Sequence, residues 1–153
     1  MVKDNNKGYT LIEMIVTIAI MAVVMVVMGY SLSILTNSRA KGCADDLYTA
    51  IQSARTEAMA KEGEISLIIT ARTDGIYVKL NTGDETKIGG NRITVTTNTG
   101  DLVPGGSNAS YEIKFDKRSG AFADEYGSIF IKGSTTYELK LYKLTGKVTV
   151  EKL

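Results

Sequence analysis

Residues 14–35 read MIVTIAIMAVVMVVMGYSLSIL, and no charged side chain falls between Glu13 and Arg39. Only Thr17, Ser31, Ser33 and the hydroxyl of Tyr30 interrupt the apolar character. A helix of about 20 such residues crosses the hydrocarbon core of a bilayer. Apolar on every side, it offers no face to water and needs lipid or other apolar helices around it. A secretory signal would instead carry an apolar stretch of about 7–15 residues and then small residues at a cleavage site. Thr36-Asn37-Ser38-Arg39-Ala40 does not have that form. The run therefore predicts a membrane-spanning helix. Lys3 and Lys7 before it nearly balance Arg39 and Lys41 after it, so charge does not set its orientation.

A second pattern begins where the first stops. Cys43, Leu47, Ile51, Ala54 and Ala58 recur at spacings of three and four, the mark of one apolar stripe on a helix. Asp45, Asp46, Arg55, Glu57, Lys61 and Glu62 supply most of the opposite face, with Glu57 and Lys61 in the favourable i,i+4 order. No proline interrupts residues 9–62, so both patterns are expected to share one continuous helix, with Gly63 as its C-terminal cap. Past Gly63, short β-branched segments alternate with turn residues. Strands are expected over 64–71, 76–80, 92–97, 111–115, 128–132, 137–143 and 147–151, with 98–109 as a loop. The predicted fold class is α+β: a long N-terminal helix, half membrane-spanning and half amphipathic, packed on one C-terminal antiparallel sheet.

Composition removes most catalytic chemistries. The chain has 153 residues, no histidine, one cysteine and a formal charge of +1. Without histidine there is no Ser-His-Asp or Cys-His catalysis and no common zinc-enzyme ligand set. One cysteine makes no internal disulfide, and Cys43 on the apolar stripe reads as core. Asp116, Asp124 and Glu125 lack the ligand spacing of a calcium loop and read as a solvated turn. Lys114, Lys117 and Arg118 interleave with Glu112 and Asp116, a mixed face rather than a track for phosphates. No cofactor, metal or catalytic residue is expected.

The informative junction is Lys7-Gly8-Tyr9-Thr10-Leu11-Ile12-Glu13-Met14. A polar leader ends in glycine, an apolar helix begins at once, and a single carboxylate sits near its start. An acidic side chain deep in a bilayer costs about 3 kcal/mol, less toward the interface, so such a residue needs a partner. This constellation resembles the signal sequence of the type IV pilin family, which includes the pseudopilins of type II secretion and competence systems. The resemblance implies cleavage after Gly8 by a prepilin peptidase, N-methylation of the new terminus Tyr9, and a role in assembly for Glu13. Tyr9 departs from the usual phenylalanine. Cleavage would place an α-amine about one helical turn before Glu13, and in stacked subunits the carboxylate of one can meet the amine of another.

The distal half narrows the resemblance. Ile51-Gln52-Ser53-Ala54-Arg55-Thr56-Glu57-Ala58, Phe115-Asp116-Lys117-Arg118-Ser119-Gly120, Gly127-Ser128-Ile129-Phe130-Ile131 and the terminal Leu144-Thr145-Gly146-Lys147-Val148-Thr149-Val150 are similar to GspH/FimT-like minor pilins and H-type pseudopilins. Lys147 stands where those proteins often have arginine, and Glu151 follows it, which argues against an inherited nucleic-acid role. The chain is thus expected to divide into a leader (1–8), a transmembrane and filament-core helix half (9–35), an amphipathic half (36–63) and a β-rich domain (64–153). It is read as a non-enzymatic minor pilin or pseudopilin of a pilus, type II secretion or competence filament. Its expected partners are other pilin subunits, the prepilin peptidase and the cytoplasmic (inner) membrane. Its C-terminal domain is expected outside the cytoplasm, then on a surface or periplasmic filament. The alternatives are a major pilin or pseudopilin, a membrane-anchored module that captures DNA (the one reading with a nucleic-acid partner), and a tethered enzyme.

Overall fold

The structure is a computed structural model that describes residues 9–61, 63–81, 83–106 and 109–153, and for 27–38 the backbone only. One helix, α1 (Leu11–Ala60), is followed by nine strands. The chain divides after Leu35 into two units.

In the first unit, α1 carries the apolar run. Every side chain described there, from Tyr9 to Val26, is exposed, with Leu11 80 % and Met25 71 % accessible. Among the described residues, no helix is long and apolar enough to cross a membrane. The described side chains of the run stop at Val26, short of the about 20 residues a span requires. The rest of the predicted span, 27–35, lies outside them.

In the second unit, α1 buries one stripe. Cys43, Leu47, Ile51, Ala54 and Ala58 are all buried, joined by Ala40 and Ala44. The strands are β1 (Ile65–Arg72), β2 (Gly75–Leu80), β3 (Glu85–Gly90), β4 (Thr94–Thr97), β5 (Gly100–Leu102), β6 (Ser110–Phe115), β7 (Ser128–Lys132), β8 (Thr136–Tyr142) and β9 (Lys147–Lys152). They form two antiparallel sheets, ordered β3-β2-β1-β6 and β5-β4-β7-β8-β9. Alternation of the pleat decides what each strand contributes. Ile65, Leu67, Ile69 and Ala71 of β1, Tyr111, Ile113 and Phe115 of β6, and Ile129 and Ile131 of β7 point inward and join the helix stripe in one core. Small side chains let the layers close. A Cβ on Gly89 of β3 would stand 3.1 Å from the Cys43 sulfur, so glycine is what fits there.

The α+β class, the helix and its buried stripe agree with the sequence reading, and three details differ. There are two sheets, not one. Strand β5 occupies part of the expected loop 98–109, and β3 occupies a stretch with no expected strand. Three residues of β5 are too few to show a period, and in β3 only Ile88 and Gly89 are buried, so neither displays alternation. Gly63 has φ +147°, not the left-handed helical value near +57° that a glycine cap adopts.

Candidate functional site: the start of the helix and the clamp on its far half

The junction singled out by the sequence begins α1. Gly8 lies outside the described residues. Tyr9 is 81 % exposed, and Thr10 is the N-cap. The Thr10 hydroxyl oxygen accepts the Glu13 N–H at 3.3 Å, and Glu13 Oε2 accepts the Thr10 N–H at 3.3 Å. The Thr10 hydroxyl also lies 3.4 Å from Oε2. This is a capping box, in which two backbone donors left without partners at a helix start are satisfied reciprocally. Sequence reasoning favoured a partner for Glu13 in another subunit over a cap on its own helix and did not name Thr10, although Thr10-Leu11-Ile12-Glu13 carries the Thr-x-x-Glu signal. Both contacts that Thr10 makes with the carboxylate fall on Oε2. Among the described residues Oε1 accepts nothing, so the carboxylate can hold its own helix start and still receive a second donor.

Three of the four distal segments named from the sequence meet at Arg55. Its Nη2 donates to the Thr145 carbonyl at 2.9 Å, tying α1 to the turn between β8 and β9. Gly120 (φ +64°) and Gly146 (φ +61°) lie against the same side chain. A Cβ on Gly120 would come within 2.9 Å of Arg55 Cγ, and one on Gly146 within 2.1 Å of the Gly120 carbonyl oxygen. Both backbone conformation and space therefore require glycine here. Arg118, itself at φ +70°, donates its N–H to the Ala58 carbonyl at 3.4 Å. The clamp ties α1 to two loops through the Arg55 side chain, one backbone bond and close packing. It is a positioning device and presents no reactive group.

The remaining candidates are structural. Cys43 is buried, and burial, with a smaller contribution from the charge of Asp46, pushes its thiol up to about 12, so it is not a nucleophile at neutral pH. Asp116 accepts the Ser119 hydroxyl at 2.6 Å and holds a turn. Among the described residues, no group of three His, Cys, Asp or Glu side chains can hold a metal ion. Lys114 lies 3.7 Å from Glu112, the mixed face expected there. Glu57 and Lys61 form the expected i,i+4 pair.

Comparison with known proteins adds one finding. No curated protein and no solved structure gives a significant match to the chain. Residues 3–29 match the family model for the prokaryotic N-terminal methylation motif, the type IV pilin-like leader, and this stretch takes in Gly8, Tyr9, the capping box and the described part of the apolar helix.

Proposed function

We propose that the chain is a minor subunit of a type IV pilin-like filament, made as a membrane-held preprotein, cleaved after Gly8, methylated on Tyr9 and assembled through the first half of α1. One observation carries this reading: a methylation-motif leader runs directly into a helical stretch whose described apolar side chains, as far as Val26, are uncovered on every face. At about 25 cal/mol per Å² of apolar surface, such a helix is driven strongly toward lipid or toward copies of itself. A filament core of packed helices supplies that burial. Glu13 then serves twice, as local cap through Oε2 and as acceptor for the α-amine of a neighbouring subunit.

The GspH/FimT-like subtype is favoured by the Arg55 clamp, because three of the four segments that carry that resemblance meet there. The filament reading also leaves the β-rich unit free to present its own surface, with no catalytic role asked of it. Binding of DNA as the main function has no comparable support, since Lys114 faces Glu112 and Asp116 is held in its turn.

Glu13→Gln separates the two roles of the carboxylate. Glutamine also serves in a capping box, so the helix start survives while the charge is lost. Stranding the neighbour's buried amine costs about 3–5 kcal/mol per contact. Association with sister subunits should therefore fall on the order of 100- to 4,000-fold, with normal membrane insertion and processing. Co-purification from detergent extracts measures this, and wild-type recovery of the variant would leave Glu13 a cap alone.

A further inference from the structure

A small pocket in the second unit brings together two arginines that are far apart in sequence. Arg39 comes from α1, and Arg92 from the loop between β3 and β4. The pocket holds about 180 Å³, with Ile93 and Gly133 among its walls. Its shape follows from the local chain. The Ile93 N–H donates to the Gly90 carbonyl at 3.2 Å, closing a turn that presents Arg92 outward while Ile93 is buried. On the other side, the β7–β8 turn presses on the helix, where a Cβ on Gly133 would stand 2.9 Å from that of Ala40. Lys132, exposed, immediately precedes that glycine.

The charge here is of one sign. Both arginines are exposed, and among the described residues neither has a carboxylate partner and no acidic side chain lines the pocket. The contrast lies on β1 to β3, where Arg72 is held by Glu85, and Lys87 by Asp74. Arg39 is also the first charged residue after the apolar run, four positions past Leu35. In a chain held in a bilayer by that run, a cation at this position lies at headgroup level. Guanidinium groups bind phosphate oxygens in pairs of parallel hydrogen bonds, and two arginines lining one pocket with no acidic neighbour there favour an anion over a zwitterion. We infer that the Arg39–Arg92 pocket binds the phosphate of an anionic phospholipid headgroup while the subunit is in the membrane. The inference rests on the membrane-held stage proposed above.

The test uses the full-length chain in detergent, exposed to mixed phosphatidylglycerol and phosphatidylcholine, with retained lipid read by native mass spectrometry. Each basic side chain near an anionic surface changes binding about fivefold, so Arg39→Gln/Arg92→Gln should lower phosphatidylglycerol retention about 25-fold relative to phosphatidylcholine. Lys117→Gln/Lys147→Gln removes the same charge at other exposed positions and should leave retention unchanged. Equal retention by wild type and the arginine pair would overturn the pocket, as would an equal loss in the lysine pair, which would mean net charge alone. Flotation of the chain with pure phosphatidylcholine vesicles reads the underlying membrane stage separately. Failure to float would overturn that stage and the pocket's role with it.

Discussion

The two halves of α1 share one backbone geometry and have opposite surfaces. From Leu11 to Val26 the described side chains are apolar almost without interruption, and all are exposed. From Ala40 to Ala58 the buried residues keep to one stripe, and that stripe is covered by two sheets. The second half has found its partner within the chain. The first half has not, and its composition leaves water as the poorest of its possible surroundings. What separates them is the angular spread of apolar residues around the helix, not helix propensity. A helix with one apolar stripe becomes part of a soluble core, whereas one apolar all round requires a medium or a neighbour of its own kind.

This contrast breaks most sharply at the level of single side chains. Leu47→Ala should destabilise the second unit by about 2–5 kcal/mol, because the side chain is fully buried and the cavity collapses only in part. Ile18→Ala, the same kind of deletion in the first half, should leave the thermal unfolding of the β-rich unit unchanged. Equal shifts in the melting curves would erase the distinction. A charge reverses the asymmetry. Val16→Lys should cost insertion about 3 kcal/mol if the half lies deep in lipid, and less if it lies near the interface, measured as the membrane-bound fraction. Smaller again is Thr10→Ala, which removes one side of the capping box and should cost about 1 kcal/mol of local helix stability, read as faster amide exchange in the first turn.

Two chemical probes sharpen the covered side of the comparison. Cys43 should resist alkylation at neutral pH in the folded chain and react on unfolding, because burial holds its thiol protonated. Labelling at the rate of a free thiol would show the stripe to be open. The smallest effect belongs to Asp74 on the surface. Hydrogen bonds from Lys87 and Tyr77 hold its carboxyl down at about 2. Its contribution should be fully present above the ordinary carboxylate range and fade as pH falls through about 2. Asp74→Asn should abolish that titration in carboxyl NMR while barely moving the melting temperature.

Much of this was legible because periodicity is local. The stripe Cys43, Leu47, Ile51, Ala54 and Ala58 needs only the repeat of a helix, and seven strands announce themselves by alternation and by the turns between them. Strands β3 and β5 have too few inward residues to alternate, and the division into two sheets depends on pairings that no single segment records. At the candidate site, Glu13 stood out as a lone carboxylate at the start of an apolar run, Gly8 and Tyr9 through the resemblance to the pilin leader, and Thr10 was readable from the Thr-x-x-Glu signal. The Arg55 clamp is different in kind. Residues 55, 120, 145 and 146 meet only once the chain has folded, and the glycines there look like ordinary turn residues until the helix is seen against them. The pairing of Arg39 with Arg92 has the same origin.

The central claim is that the leader and the uncovered helix belong to one processed, filament-forming subunit. Intact mass and fragmentation of the protein from cells that contain a prepilin peptidase test it most directly. The expected amino terminus is Tyr9 carrying one added methyl group, and that species should be lost in Gly8→Val. A wild-type chain that keeps residues upstream of Tyr9 under those conditions, with an unmodified Tyr9, would contradict it.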